Sequence, residues 1–178
     1  MTNKKRIQRT NQELCSITNR LFYEWQMLAI SSEVLQVGIE KLIENALIES
    51  CAIHSRALVK FLYPFESTRP PKPTDAIADD FFVTPNEWKN ACPKIPKELD
   101  YDTFGKYADK QIAHIIYSDE DKYQWNFTLI ANALQPILEK FVELVQPEQL
   151  GDRWSSQLKH QTGSRWETLK KLVASKNI

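Results

Sequence analysis

The chain has 178 residues and no net formal charge at pH 7, with 42% hydrophobic and 11% aromatic residues. A chain of this length buries a core of its own without a metal or disulfide, and its four glycines are too few for the dense turns of a β-sandwich or barrel. No apolar run approaches the roughly 18 residues of a membrane span, and no apolar signal segment follows the basic N-terminus. We therefore expect one helical domain over residues 1–178, in the cytoplasm and away from membranes.

The N-terminal part predicts a flexible basic segment followed by a helix. Residues 1–11 are polar and carry four bases before position 10. The stretch Gln12–Ile30 has apolar residues at helical spacing, which is typical of an amphipathic helix. Its stripe consists of Leu14, Ile17, Leu21, Trp25 and Leu28. Ser31–Ser32 precede an acid, so we predict a new helix start or a bend there. Gly38 is the next position at which the helical pattern is weak.

A central helix is predicted over Glu40–Tyr63, where no Gly or Pro occurs and apolar residues recur at intervals of three and four. Pro64 follows, and helices commonly end just before a proline. One broad face is expected in the core, and it comprises Ile43, Ala46, Leu47, Ser50, His54, Ala57, Leu58 and Phe61. A narrow polar strip on another side comprises Asn45, Glu49, Arg56 and Tyr63.

Residues 64–84 form a Pro-rich loop, for which the sequence leaves three interpretations open: a lid, a partner-binding arm or a disordered loop. The pair Phe81–Phe82 indicates that the loop returns to the core. Thr84–Glu87 then combines a cap residue, a Pro at the first helical position and an acid at the third, which predicts a short helix through about Ala91.

Two more long helices and a basic helical tail are predicted. The first, Lys97–Tyr117, has an apolar side consisting of Tyr101, Phe104, Ala108, Ile112, Ile115 and Ile116. The second, Tyr123–Val145, aligns Phe127, Ile130, Ala131, Leu134, Ile137, Leu138, Phe141 and Val145, with Pro136 on the outer side. The tail, residues 151–178, carries six bases against two acids, and we expect its Trp154 and Trp166 to dock. The fold class predicted is an all-α bundle of about four long helices plus short ones.

Two histidines are candidate site residues. His54 lies on the apolar face of the central helix, where a hydrogen-bonded core histidine and a ligand-binding histidine are both consistent with the sequence. His114 lies opposite the apolar stripe of its helix, one turn after Lys110, with Tyr107 two turns before it. A neighbouring lysine disfavours the protonated imidazole and so favours a general base. The alternative is a surface histidine without a role.

Glu49 and Arg56 lie two turns apart on the polar strip. The guanidinium of Arg56 is suited to a phosphate or carboxylate fork, or to pairing with an acid of its own chain. The acids Asp75, Asp79 and Asp80 match no metal-binding spacing, and no phosphate-loop, dinucleotide or nucleophile-elbow motif occurs. The three cysteines form no CxxC pair. We expect neither a metal nor a cofactor.

Three separated segments resemble a group of bacterial all-helical proteins whose function is not assigned. The first is LIESCAIHSRALVKFLY, with Glu49-Ser50, His54, Arg56, Leu58 and Phe61-Leu62. The second is Asp79-Asp80-Phe81-Phe82, and the third is KYADKQIAHIIYS, with Lys110-Gln111-Ile112-Ala113-His114. The resemblance covers about residues 40–145. The layout is similar to that of the HEPN superfamily of helical bundles.

The HEPN resemblance implies a metal-independent ribonuclease or an RNA-binding component of a defence system, often a homodimer. His114 matches the motif histidine, but Asp109 occupies the position of the motif arginine, where an acid repels phosphate. Our first hypothesis is therefore a binding or regulatory protein, RNA-directed or defence-related, with ligand-binding residues Glu49, His54, Arg56 and Tyr107. One alternative is an endoribonuclease with His114 as base and Lys110 or Arg56 stabilising the phosphate. Another is a scaffold that binds a protein through the 64–84 loop.

Overall fold

The computed structural model describes residues 8–67, 70–99 and 125–157. Within these ranges the protein is helical and contains no strand. Its α-helices are α1 (Asn11–Val34), α2 (Lys41–Leu62), α3 (Glu87–Ala91), α4 (Phe127–Leu144) and α5 (Asp152–Gln157). Short 3-10 turns occur at Leu35–Val37, Ala78–Phe81, Lys97–Leu99 and Pro147–Gln149. None of the helices in these ranges is both long and apolar enough to cross a membrane. All but the first turn of the helix predicted over Lys97–Tyr117 lies outside the described residues.

The first helix begins at a capping box and passes the break that its sequence predicts. The Thr10 amide donates to the Glu13 carboxylate at 2.8 Å, and the Glu13 amide donates to the Thr10 hydroxyl at 3.3 Å. The prediction of a break at Ser31–Ser32 is wrong, because both serines are buried inside α1 and neither caps a new helix. The Ser32 hydroxyl donates to the Ala29 carbonyl of its own turn, and the Ser31 hydroxyl faces that of Ser50 on α2. The helix ends later, before Gly38, whose φ of +65° turns the chain.

The bounds predicted for α2 are confirmed, since it ends directly before the Tyr63-Pro64 pair, but the predicted buried face is partly wrong. The residues it buries are Cys51, Ala52, Ser55, Leu58, Val59, Phe61 and Leu62. Ile43 and Ala46 are exposed, because the first turns of α2 extend past the body of α1 beside the exposed 3-10 turn. Tyr63, predicted on the polar strip, is buried and donates its hydroxyl to the Pro93 carbonyl at 3.1 Å.

Helices α1 and α2 form an antiparallel hairpin with small residues at the interface. The hydroxyls of Ser31 and Ser50 are 3.2 Å apart, and further along the Cys51 thiol faces the Leu28 carbonyl at 4.0 Å. The hydroxyl of Ser55 turns back onto its own helix and donates to the Cys51 carbonyl at 2.6 Å. These side chains allow a close approach of the two helices while each polar group finds a partner.

Helix α4 buries the whole apolar stripe that its sequence predicts, together with Val142. It begins at Phe127, four residues after the predicted start, because the Asn126 side chain accepts from the Leu129 amide at 3.0 Å and caps the helix there. Pro136 is exposed on the outer side, as predicted. Phe141 is the centre of an aromatic cluster, with ring centroids 5.2–6.3 Å away in Phe61, Phe81, Phe82 and Trp88.

The C-terminal end of the Pro-rich loop packs against this cluster. Ile77, Ala78 and Phe81 are buried, and Phe82 stacks on Trp88 at 6.3 Å. Helix α3 starts at Glu87 rather than at the predicted Pro85, because the preceding residue is left-handed at φ 62°. The Trp88 indole donates to the Leu62 carbonyl at 2.6 Å, so α3 is bonded to the last turn of α2.

The C-terminal part that the structure describes docks on α1. The indole nitrogen of Trp154 donates to the Thr18 carbonyl at 2.5 Å, and its ring meets Phe22 edge-on at 5.1 Å. The Gly151 amide donates to the Thr18 hydroxyl at 2.8 Å. The docking predicted for Trp154 is therefore confirmed, whereas Trp166 lies outside the described residues.

Candidate functional site

The clearest polar constellation joins α1 and α2 through His54 and Glu24. Nδ1 of His54 lies 2.6 Å from Oε2 of Glu24, and the two side chains are 12% and 19% exposed. Helices α1 and α2 run antiparallel on either side of the Gly38 turn. Residues at similar distances from this turn therefore lie opposite each other, as Glu24 and His54 do. A carboxylate oxygen accepts, so Nδ1 donates, and the neutral ring then carries its lone pair on Nε2.

An exposed aromatic ring borders this pair. Tyr23 is 45% exposed and packs edge-on against His54, with ring centroids 5.6 Å apart and planes at 85°. No hydrogen bond from Nε2 of His54 to another described residue is present. The arrangement therefore combines an oriented imidazole, a neighbouring carboxylate and an accessible aromatic ring. Such a group can accept a proton or hydrogen bond at Nε2 and offer a stacking surface.

The structure places the other two ligand-binding candidates of α2 away from this pair. Arg56 is half-buried and Glu49 is exposed. Arg56 follows His54 by two positions, which is about 200° around a helix, so the two side chains leave opposite sides of α2. Glu49 and Arg56 share a side, seven positions apart. The histidine and the arginine thus belong to different surfaces.

Three predicted site residues, Tyr107, Lys110 and His114, lie outside the described residues. The geometry of the His54 site is therefore described without them. The catalytic roles of Lys110 and His114 stay predictions.

A second concave region lies between the start of α1 and the loop that follows Pro73. Its volume is about 250 Å³, and its lining is Arg9, Glu13, Leu14, Ser16, Ile17, Thr74, Ala76, Asp80 and Phe81. Its charged side chains are bonded to neighbouring groups of the chain. Arg9 donates to the Pro73 carbonyl at 3.0 Å and lies 3.6 Å from Glu13, while Asp80 accepts from the Ile77 amide at 3.1 Å. The cleft is therefore a weaker candidate than the His54 pair.

The fold favours the neutral form of two thiols, those of Cys51 and Cys92. Burial raises the pKa of Cys51 to about 12 and that of Cys92 to about 11. A thiol with so high a pKa is a poor nucleophile at neutral pH. Across ranges 8–67, 70–99 and 125–157, no three His, Cys, Asp or Glu side chains gather as a metal site requires.

Sequence reasoning missed Glu24 and Tyr23. Both lie on α1 beside its buried stripe, and nothing in their local pattern marks them. The signal that existed was topological: two helices joined by a tight turn at Gly38 must lie antiparallel, and this brings the middle of α1 opposite His54.

Comparison of the chain with protein-family models, with curated proteins and with solved structures finds no match.

Proposed function

We propose that the chain is a HEPN-like helical module that binds single-stranded RNA in a regulatory role, as a homodimer, through a surface centred on His54. The observation that carries the proposal is the 2.6 Å contact between His54 and Glu24 at a partly exposed helix interface. The choice of ligand is supported by the layout of the bacterial helical proteins that residues 40–145 resemble, which is similar to that of the HEPN superfamily.

The Glu24 carboxylate orients the imidazole of His54. A carboxylate behind a histidine fixes the ring and its tautomer, which leaves the outer nitrogen facing away from the carboxylate. In this orientation Nε2 can accept a hydrogen bond from a ribose 2′-hydroxyl or, when protonated, pair with a phosphate. Tyr23 adds a half-exposed ring against His54. Unstacked bases of single-stranded RNA are commonly bound on such rings.

RNA binding is favoured over the two alternatives, an endoribonuclease and a protein-binding scaffold. Asp109 replaces the arginine that would meet the phosphate in a HEPN ribonuclease, which disfavours catalysis. A scaffold acting through the 64–84 loop would need that loop to be available. The C-terminal end of the loop is packed on the core, since Phe81 is buried. A scaffold would have to use the exposed stretch 72–75, where Arg9 already bonds to the Pro73 carbonyl at 3.0 Å.

The test is fluorescence anisotropy with a labelled, mixed-sequence single-stranded RNA at low salt and in EDTA. Removing a stacking ring typically costs ~1–3 kcal/mol per base, so Tyr23→Ala should weaken binding by about fivefold or more. His54→Ala should weaken it by about tenfold, the loss of one charge-assisted hydrogen bond. Lys140→Gln is the matched control, because it removes an exposed positive charge on α4, away from His54. Equal Kd values for Tyr23→Ala, His54→Ala and wild type would refute the proposed surface.

The same RNA, incubated with the wild-type protein and with a His114→Ala variant, decides between binding and catalysis. Cleavage of RNA in EDTA that disappears in His114→Ala would replace the binding proposal with an endoribonuclease. Intact RNA together with a Kd that depends on His54 supports a binding module. Light scattering coupled to size exclusion gives the oligomeric state, and the expected mass is that of two chains.

A further inference from the structure

The start of α2 presents an apolar surface that no described element covers. We call the group Val37, Leu42, Ile43 and Ala46 the α2 apolar face. Leu42 is 74% exposed and Ile43 is 50% exposed, although both sit on a helix whose later turns are buried. A contiguous apolar patch on a folded chain commonly marks a site of contact. Such a face is suited to covering by an apolar segment or partner.

The charge around the α2 apolar face indicates which kind of segment can cover it. Residues 33–49 contain four acids and one lysine. Glu40 and Glu49 flank the apolar face, three positions from Ile43 and from Ala46, and form its acidic rim. Glu44 lies on the opposite side of α2, where it is bonded to Lys41 at 2.9 Å. An apolar strip between acids fits a basic amphipathic segment.

Two segments of this chain lie outside the described residues and are long enough to reach the face. Residues 100–124 contain six acids and three bases, so they carry the same sign of charge as the rim. Residues 158–178 contain five bases and one acid, the opposite sign. They also carry Trp166, Leu169, Leu172 and Val173 at helical spacing. Charge and apolar pattern both select the second segment.

The position at which this segment leaves the described structure allows the contact. Trp154 is fixed to Thr18 and Phe22 of α1, and α5 ends three residues later at Gln157. From Phe22 to the turn before α2 the hairpin extends for ~22 Å at 1.5 Å per residue. Twenty-one residues span ~31 Å even in helical form, so residues 158–178 can reach the start of α2.

We propose that residues 158–178 dock on the α2 apolar face of their own chain, with Trp166 and Leu169 against Leu42 and Ile43, and with Lys170 and Lys171 beside the acidic rim. The contact buries the exposed apolar side chains and pairs opposite charges at the edge. It does not depend on RNA binding, since His54 and Tyr23 take no part in it.

The test is carbodiimide cross-linking of the full chain, which joins a carboxylate to an amine only when the two are in contact. An equal mixture of unlabelled and ¹⁵N-labelled protein is treated, and the linked peptides are identified by mass spectrometry. We expect links from Lys170 or Lys171 to Glu40 or Glu49, with both peptides carrying the same isotope. Links between isotopes would show that a second copy covers the face. Links from Lys106 or Lys110 would show that residues 100–124 cover it, and no link to the rim would show that the tail lies elsewhere.

Variants test the apolar half of the contact. Leu42→Asp/Ile43→Asp should reduce the yield of these links at least fivefold, whereas Val83→Asp, at a position 97% exposed outside the face, should leave it unchanged. Trp166→Ala/Leu169→Ala should cause the same loss of links. Because it changes none of the described residues, it tests the contact even if Leu42→Asp/Ile43→Asp fails to fold. Yields unaffected by Trp166→Ala/Leu169→Ala would overturn the proposal.

Discussion

Glu24 of α1 and His54 of α2 are joined by a hydrogen bond of 2.6 Å across the interface of the helical hairpin. Both side chains are largely buried, so the bond is screened less than a surface ion pair. We predict a coupling free energy of about 1 kcal/mol in a double-mutant cycle of Glu24→Gln and His54→Gln. Urea unfolding of the four proteins measures it. A coupling close to zero would mean that the two groups do not interact in solution.

Trp88 connects α3 to the end of α2 and is completely buried. Trp88→Phe removes part of the ring and leaves the Leu62 carbonyl without its donor at 2.6 Å. We expect the free energy of unfolding to fall by about 2–3 kcal/mol, the sum of lost packing and an unsatisfied acceptor. Val83→Ala, at an exposed position nearby in sequence, should change it by less than about 0.5 kcal/mol. A loss in Trp88→Phe no greater than in this control would contradict the described packing.

Gly151 lies against the side-chain amide of Asn19. A Cβ atom at position 151 would overlap Oδ1, Cγ and Nδ2 of the asparagine, so this side chain would have to move. Gly151→Ala should therefore destabilise the protein by about 1–3 kcal/mol through overpacking. Asn19→Ala removes the atoms that clash, so the double variant should lose less stability than the two single changes added together. Thermal unfolding measures all three variants, and simple additivity would argue against the contact.

Pro136 interrupts the hydrogen bonding of α4 from its exposed side. It has no amide hydrogen to donate to the carbonyl four residues earlier, which belongs to Asn132. Pro136→Ala should raise the free energy of unfolding by about 1–3 kcal/mol. Asn132→Ala, also exposed on α4, controls for helix propensity alone and should gain at most about 0.7 kcal/mol. A destabilised Pro136→Ala would show that the proline shapes the helix for packing.

The buried thiols predict a pH dependence with a defined sign. Folding raises the pKa of Cys51 from 9.0 to about 12 and that of Cys92 from 9.0 to about 11. The folded chain therefore holds protons that the unfolded chain releases, and stability falls as pH rises above about 9. Cys51→Ala should make this decline shallower, as measured by urea midpoints from pH 8 to 11. An unchanged slope would show that Cys51 does not contribute to it.

Periodicity predicted some elements well and others poorly, for identifiable reasons. The apolar stripe predicted for α4 is buried in full, up to Val145 just after the helix end. In α2 the same reasoning placed Ile43 in the core, although it is exposed. A repeat of three and four shows which side is apolar but not how far along a helix the neighbours extend.

Capping signals had a similar limit. Thr10 and Glu13 form a capping box at the start of α1, whereas Ser31–Ser32 are buried within the helix. A serine caps a helix or bonds back to its own turn, and tertiary packing decides between the two. For the site, the sequence marked His54, but its partner Glu24 became evident only from the antiparallel packing of the hairpin.

The bond between Gly151 and Thr18 has a kinetic consequence. It closes a stretch of 133 residues, whereas the α1–α2 hairpin forms across a short turn. Contacts distant in sequence carry a larger entropic cost of closure and tend to form after local ones. We therefore expect the hairpin to assemble first and the Trp154 segment to attach late in folding. Changes at Gly151 should then act mainly on the rate of unfolding and hardly on the rate of folding.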